Sequence, residues 1–289
     1  MEYAIHITHP RQLRYLRARH TRVYFGNEFC ERLIPTRDEI EETLMFTRKK
    51  GLKLSFLTPY ATNRGIQALF PLFDMASVAD CCDEVVVNDW GVLRILNRCY
   101  QKFEPVLGRL LTKQKRGPNL KELLKRTPRT FSRRDSDDSG ASWFIVQKKL
   151  PLALDSYYKS SGVATVPEIH HFLASQGIRR LELDNVEQGF YCDFPHGKLS
   201  ASLYLPYVYI STSLFCPSAG CDSKKYPALK IKPCTMQCRK YIFELRNRSM
   251  HKVIYLKGNT QFYKNNRLHM RRWRQEGVDR IVYEPEIPV

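Results

Sequence analysis

Short runs rich in Val, Ile and Leu alternate along this chain with segments of helical periodicity. RVYFG (22–26) is followed by the helical pattern TRDEIEETLMFTRKKG, and EVVVND (84–89) is followed by a helical pattern that begins near Trp90. Strands that are apolar throughout are typical of parallel sheets that are buried on both faces. The strand candidates are eight, at 22–26, 53–59, 84–89, 105–111, 179–185, 198–211, 252–259 and 280–285. The alternation therefore predicts an α/β fold built on a parallel sheet.

Two of these segments carry signals for their own boundaries. Thr36 and Glu39 have the spacing of a capping box at the start of the first helix. Gly51 follows the last cations of the same helix, where a glycine commonly ends a helix. The long candidate 198–211 contains Pro206, and we expect a bend there.

Eight parallel strands with helical links predict a (β/α)8 TIM-like barrel, regular or irregular. An open doubly wound sheet is the alternative, but no GxGxxG turn follows the first strand and the Walker phosphate loop is missing. Residues 1–289 would form a single barrel domain with an insertion at 112–178, between the fourth and fifth strands. Charge, Pro, Ser and Gly without a sustained period predict a mobile loop near 127–142.

The charge of the chain is strongly positive and unevenly distributed. The formal net charge is +18, and residues 109–134 hold ten Lys or Arg against one acid, Glu122. Such a field attracts RNA, acidic lipid headgroups, an acidic protein or a small anionic substrate, whereas a merely solvated surface is the alternative. The sequence contains no run of eighteen apolar residues and no secretory signal pattern, so we expect a cytoplasmic protein without a membrane span.

Four of the nine cysteines fall where a barrel places its functional residues, at the carboxyl ends of the strands. Cys30 follows the first predicted strand, Cys216 follows the sixth, and Cys234 and Cys238 lie in the next loop. Four thiolates that meet there would suit zinc or an iron–sulfur cluster, although a C-x3-C pair by itself is a weak signal. Plain burial as a small apolar residue is the alternative for each cysteine.

The remaining cysteines are weaker candidates. Cys221 lies five residues after Cys216 and would be able to replace it as a ligand, and Cys192 follows the fifth predicted strand. Three others fall in or beside helical patterns and are expected to be core or incidental residues: Cys81, Cys82 and Cys99.

Several segments taken together resemble the peptidase family U32. They are VYFGNEFC, EVVVNDWGVLRIL, PVLGRLLTKQKRGP, RRLELDN and the late cysteine set, over about residues 20 to 260. The cysteine layout is most similar to that of the family's anaerobic ubiquinone-hydroxylation subunit, with one ligand after the first strand and three late in the barrel. The resemblance implies a TIM-like barrel and a [4Fe-4S] cluster held by Cys30, Cys216, Cys234 and Cys238.

The resemblance also implies a function. Members of this group support oxygen-independent hydroxylation, with a prephenate-type oxygen donor, of a small aromatic or quinone-like substrate, and they can act with a second U32-type subunit. A dicarboxylate donor would need cations near the strand ends, and Arg109 and Lys113 follow the fourth predicted strand. The ends of the third and fifth predicted strands supply further candidate substrate-binding residues, each of which can instead cap a helix: Asn88, Asp89, Asp184 and Asn185.

A second class of function stays open at this point. The basic surface would also suit an RNA-binding or RNA-base hydroxylating protein in which the cluster is structural. Peptidase activity is a third and weaker interpretation, because the sequence has neither an HExxH zinc motif nor a GxSxG nucleophile elbow.

Overall fold

The computed structural model describes residues 1–120, 129–134, 142–147, 157–194, 199–223, 232–246 and 252–289, with the backbone alone for 129–134 and 142–147. Its centre is a closed barrel of eight parallel strands in the order in which they occur along the chain. These strands are β1 (Glu2–Ile7), β2 (Arg22–Gly26), β3 (Lys53–Leu57), β4 (Cys82–Val87), β5 (Glu104–Leu107), β8 (Arg180–Asp184), β9 (Ser200–Leu205) and β14 (Val278–Tyr283). The predicted (β/α)8 TIM-like barrel is confirmed.

Five α-helices lie within the described part of the chain. They are α1 (Arg37–Lys49), α2 (Asn63–Ser77), α3 (Trp90–Cys99), α4 (Pro167–Ser175) and α5 (Met270–Gln275). Thr36 caps α1 in the predicted capping box with Glu39, and Gly51 takes a positive φ of 63° just beyond the helix. None of the described helices combines the length and hydropathy that a membrane crossing requires.

The barrel interior is polar at both ends and apolar in the middle. Arg280 donates hydrogen bonds to Glu84 and to the hydroxyl of Tyr24 near the amino ends of the strands. The middle layer is an apolar cluster made of Ala4, Tyr24, Leu57, Val86, Val106, Tyr204 and Val282. Because side chains alternate between the two faces of a strand, the intervening residues, such as Val23, Phe25 and Phe56, pack outside the barrel with the helices.

A second sheet lies against the carboxyl end of the barrel. Its four antiparallel strands are β10 (Tyr207–Thr212), β11 (Phe243–Leu245), β12 (Ile254–Lys257) and β13 (Thr260–Lys264), in the order β10-β13-β12-β11. Tyr209 and Phe262 of this sheet pack on Phe29, which follows β2, and on Ile287, which follows β14. The sheet therefore covers one side of the barrel mouth.

Three details differ from the sequence prediction. The barrel includes β1, which the prediction omitted, and excludes 252–259, where Gly258 and Asn259 turn the chain so that β12 pairs antiparallel with β13. The candidate 198–211 is two strands, β9 and β10, separated at the bend that we expected at Pro206. Since β1 is the first barrel strand, the insertion follows the fifth strand and precedes the sixth, instead of following the fourth.

The structure describes only part of the predicted mobile loop near 127–142. β6 (Arg129–Arg134) and β7 (Ser142–Gln147) form an antiparallel pair in this region. The stretches 127–128 and 135–141 lie outside the described residues.

Candidate functional site

The four predicted cysteines line a single cavity between the barrel mouth and the second sheet. Cys30 comes from the segment after β2, Cys216 from the segment after β10, and Cys234 and Cys238 from the segment before β11. The cavity, which we call the cysteine cavity, has a volume of about 180 Å³. Its remaining wall is mostly apolar and includes Phe29, Tyr60, Leu214 and Met236. Segments nearly two hundred residues apart thus bring soft ligands to one enclosed space.

Asn27 sets the position of Cys30. Its side-chain oxygen accepts hydrogen bonds from the backbone N–H of Phe29 at 3.0 Å and of Cys30 at 2.8 Å. This short-range turn is typical of asparagine, whose side chain can replace a backbone acceptor. It directs Glu28 into the barrel mouth while Phe29 and Cys30 line the cysteine cavity.

Two buried amides hold the later cysteine segments together. Gln237 donates to Asp222 Oδ1 at 3.2 Å, which joins the segment of Cys238 to the turn that follows Cys216. Asn259 donates to the carbonyl of Phe29 at 2.7 Å and to that of Ser213 at 2.8 Å. Asn259 therefore ties the Cys30 segment to the Cys216 segment.

Gly258 permits the close approach of Cys238. Its φ is +62°, and a Cβ at this position would lie 3.2 Å from the Cβ of Cys238 and 2.8 Å from Val289. A larger residue would push the wall of the cavity outward, so glycine is required for packing as well as for the turn.

Burial raises the pKa of two of the thiols that line the cavity, Cys30 and Cys238. It raises the pKa of Cys30 to about 11, with smaller contributions from Cys238, Cys216 and Cys234. The pKa of Cys238 is also raised, mainly by burial and then by the neighbouring thiols, while the Lys257 ammonium acts in the opposite direction. Without a metal, these two thiols are protonated at neutral pH, so metal binding has to displace protons.

Lys232, Arg239 and Lys240 are neighbours of Cys234 and Cys238 in the sequence, but the cation that acts on Cys238 comes from a separate strand. Lys232 donates to Ser223 Oγ at 2.8 Å, and Arg239 and Lys240 are exposed. Lys257, on β12, is the cation that opposes the rise in the pKa of Cys238, and its ammonium donates to the carbonyl of Ile287 at 2.9 Å.

The other five cysteines do not line the cysteine cavity. Cys221 lies on the turn beyond Cys216 and interacts with it electrostatically. Cys192 packs against the hydrophobic core, and burial raises its pKa. Cys81 and Cys82 are core residues and Cys99 is exposed on α3, as the sequence predicts.

Arg109 is the centre of a second group of charges at the barrel mouth, which we call the charged cluster. Its members are His6, Glu28, Arg109, Arg116, Asp184 and Glu284. Arg109 is fully buried and contacts Glu28 through two nitrogens, Asp184 Oδ1 at 3.2 Å and Glu284 Oε1 at 2.8 Å. Every side-chain nitrogen of Arg109 is thus bonded to a carboxylate, and its guanidinium has no exposed surface for a substrate.

The other predicted strand-end residues have clear structural roles. Asp89 caps α3 by accepting from the N–H groups of Gly91 and Val92, at 2.7 and 3.1 Å. Asn88 donates to the carbonyl of Thr58 at 3.0 Å. The side-chain N–H groups of Asn185 and Asn265 each donate to the backbone carbonyl of the other residue.

Lys113 is exposed and has a positive φ of 53°. The structure brings Asn88, Arg109 and Asp184 together, whereas Asp89, Lys113 and Asn185 lie outside the charged cluster.

Phe29 separates the two sites. Its ring lies 5.2 Å from the Arg109 guanidinium carbon and also forms part of the cysteine cavity wall.

Sequence reasoning missed Asn259 and Lys257 near the cysteines, and His6, Glu28 and Glu284 in the charged cluster. The Gly258-Asn259 pair between two short apolar runs was a usable signal, because such pairs favour hairpin turns.

No protein-family model matches this chain, and no curated protein sequence matches it. Among solved structures, one described as the structure of the U32 peptidase Mk0906 is similar. The identity is 10%, the alignment covers 100% of this chain and 94% of that chain, and the TM-score is 0.45. A likeness of this degree supports no conclusion about function, and the barrel is established by its own strand pairing.

Proposed function

We propose that this chain is an iron–sulfur protein of the U32 type, in which Cys30, Cys216, Cys234 and Cys238 hold a [4Fe-4S] cluster. One observation carries the proposal: four thiols from three distant segments line a single enclosed cavity at the carboxyl end of the barrel. Chance burial of cysteines would not select these four and leave Cys81, Cys82 and Cys99 elsewhere.

The spacing of the thiols also favours a cluster over a single ion. Tetrahedral zinc with Zn–S bonds of about 2.3 Å needs sulfurs about 3.8 Å apart. In the described part of the chain, no group of three ligands that includes a cysteine sulfur fits within 4.8 Å. A cluster in which sulfide bridges several irons separates its thiolates more widely, so this arrangement disfavours a single zinc ion and is compatible with a cluster.

A bound cluster would supply one-electron transfer at this cavity. The chain itself supplies fixed ligands, through Asn27, Gln237 and Asn259, and a mostly apolar wall around the sulfurs. Tyr60 and Leu214 lie at the rim and are 48% and 75% exposed. These side chains offer a surface for the flat face of a small aromatic or quinone-like substrate, and we infer that such a molecule is hydroxylated there.

A neighbouring cavity suits an anionic oxygen donor. It has a volume of about 510 Å³ and shares Leu33 and Val289 with the cysteine cavity. Its basic side chains outnumber its two acidic ones, Glu39 and Glu286, and they include Arg11, Arg14, Arg239 and Lys257. A dicarboxylate of the prephenate type would find its charge compensated here, rather than at the enclosed Arg109.

The cluster is tested by purifying the protein without oxygen and measuring iron, sulfide and visible absorption. We expect brown protein with about four irons and four sulfides per chain. Cys234→Ala should lose the colour, whereas Cys99→Ala, the same change on an exposed helix, should keep it. Colourless protein, or zinc in place of iron, would contradict the proposal.

The activity is tested by incubating the brown protein with a small phenol, prephenate and a chemical two-electron acceptor in the absence of oxygen. If prephenate gives its hydroxyl oxygen to the ring and loses carbon dioxide to form phenylpyruvate, two electrons and two protons remain, and the acceptor takes them up. The expected product has gained one oxygen atom, measured by mass spectrometry, and its formation depends on Cys234 and on prephenate. If product appears only when a second U32-type protein is added, the chain works as one subunit of a pair. If the cluster is present and no product forms in either mixture, the hydroxylation is wrong while the iron–sulfur assignment stands.

RNA binding is the second candidate function, and one group of residues favours it. Arg267, Arg271, Arg272 and Arg274 are all exposed on or beside α5. The basic stretch 109–134 contributes less to RNA binding than its composition indicates, because Arg109 and Arg116 form ion pairs with the buried carboxylate of Asp184. RNA held by exposed arginines should dissociate steeply with added salt. Arg271→Ala combined with Arg274→Ala should reduce that dependence, and salt-independent binding would exclude this mode.

A further inference from the structure

Three members of the charged cluster have the composition of a metal site that is separate from the cysteines. The ligand atoms of His6, Glu28 and Glu284 all lie within 4.8 Å of one another. All three residues are at most 2% exposed, although they come from strand β1, from the turn after β2 and from the position just beyond β14. One imidazole and two carboxylates are common ligands for divalent first-row metals.

The charges around these residues do not balance. Glu28, Asp184 and Glu284 carry three negative charges, and Arg109 and Arg116 carry two positive charges. Arg109 contacts Glu284 through Oε1, while Oε2 of the same carboxylate is fully buried and has no hydrogen-bond partner. A buried carboxylate oxygen without a partner is costly, so the cluster needs one more positive group at Glu284.

His6 presents a lone pair to the same carboxylate. Its Nε2 lies 3.3 Å from the carbonyl of Gly26, which can only accept a hydrogen bond, so Nε2 carries the proton in the neutral ring. Nδ1 is then unprotonated and lies 3.4 Å from Glu284 Oε1. Two acceptors repel each other at this distance, so either a proton or a metal ion between them would stabilise the contact. A hydrogen bond from the other ring N–H to a backbone carbonyl is also the usual way in which a metal-binding histidine is oriented.

We propose that His6, Glu28 and Glu284 bind a divalent first-row transition-metal ion at the barrel mouth, independently of the cysteine cavity. The nitrogen and oxygen donors select a harder ion than thiolates do, so the two sites differ in metal preference. Phe29 lies between Arg109 and the cysteine cavity, which keeps the two sets of ligands apart. The competing occupant is a single proton shared by His6 and Glu284, which would bring the net charge of the cluster to zero, whereas a divalent ion would bring it to +1.

Manganese distinguishes these occupants, because Mn²⁺ prefers oxygen and imidazole ligands and competes poorly for thiolates. The full chain is produced in medium supplemented with Mn²⁺, desalted, and measured by elemental analysis and by electron paramagnetic resonance. The site is enclosed, so the ion has to be present while the chain folds. We expect one tightly held Mn²⁺ per chain, with coupling from an imidazole nitrogen in the pulsed spectrum.

Variants locate the ion. Glu284→Gln and His6→Gln should each lower the retained manganese at least tenfold, while Cys234→Ala should leave it unchanged. Glu182→Gln is the matched control, since it neutralises another buried barrel carboxylate outside the group. Wild-type protein that retains no manganese, or retains it without nitrogen coupling, overturns the proposal and assigns the position to a proton. The coupling is measured on the wild-type chain, so this outcome does not depend on whether a variant folds.

Discussion

Replacement of Arg109 by Met should destabilise the fold more than almost any other single change. The side chain of Arg109 is fully buried and neutralises Glu28, Glu284 and part of Asp184. Asp184 keeps Arg116 as a partner, at 2.5 Å, so the loss falls mainly on Glu28 and Glu284. Removing one partner of a buried ion pair costs about 3–5 kcal/mol because the remaining charge is left without compensation. We expect a loss of about 4 kcal/mol, since Met replaces most of the aliphatic packing.

Urea unfolding followed by circular dichroism measures this loss. With a slope of about 3 kcal/mol per molar urea, the midpoint should fall by about 1 M or more. Arg246→Met is the control, because Arg246 pairs with Glu244 on the surface and both side chains are largely exposed. Its midpoint should match that of the wild type, since exposed ion pairs contribute little.

The pH dependence gives an independent check on the same reasoning. Burial already raises the pKa of Glu284 in the presence of Arg109, and removal of the guanidinium raises it further. A carboxyl group whose pKa is higher in the folded state destabilises the fold as pH rises from the unfolded pKa through the folded one. The difference between Arg109→Met and wild type should therefore be smallest in acid and grow toward neutral pH. A midpoint shift below about 0.3 M at neutral pH would refute the view that Arg109 neutralises buried carboxylates.

Three further predictions concern other parts of the molecule. Gly26→Ala should cost about 3 kcal/mol or more in unfolding free energy, because its φ is +132° and the new Cβ would collide with the carbonyl of Leu57. Gly51→Ala, at φ +63° with open space around it, should cost only about 1 kcal/mol, and equal costs would show that the collision is relieved. Burial raises the pKa of Glu182 to about 7, so the free energy of unfolding of the wild type should decline between about pH 4.5 and 7 as this group ionises. Glu182→Gln should flatten that part of the plot of unfolding free energy against pH. An unchanged plot would show that Glu182 is not protonated in the fold. In iron-loaded protein, iodoacetamide should label the exposed Cys99 and spare the half-buried Cys216 and Cys234, which should become reactive after iron is chelated. Early labelling of these two thiols, read by mass spectrometry, would show that they hold no metal.

Local sequence patterns were sufficient for most of the barrel. RVYFG and EVVVND are apolar throughout because both faces of β2 and β4 are buried, and this produces a recognisable run. β1 was missed because its role depends on pairing with β14, nearly 280 positions away, and EYAIHI has no helical pattern before it. Residues 252–259 have the same composition as a barrel strand, but only the turn at Gly258 decides that they pair with β13.

The site was predictable to the extent that residue type determines chemistry. Thiols are recognisable as soft ligands wherever they occur, and their places after predicted strands located the cysteine cavity. Arg109 was predicted to be a substrate clamp because a cation after a strand has that appearance in a linear sequence. Its actual partners lie 81, 75 and 175 positions away, and no local pattern links an arginine to such carboxylates. The second sheet, which supplies Asn259 and Lys257, could not be predicted either, because β10 pairs with the distant β13 and no local pattern indicates that pairing.

The strand that closes the barrel, β14, is also the last of its eight strands along the chain. β14 pairs with β1 on one side and with β9 on the other, and Glu284 just beyond it completes the carboxylates around Arg109. On the ribosome, the edges of β1 and β9 in a nascent chain therefore stay unpaired until residues 278–284 leave the exit tunnel. Such edges are templates for pairing with other chains. Newly made molecules consequently depend on rapid synthesis of β14 or on binding to a chaperone at this stage, and slowed translation of residues 206–284 should increase aggregation.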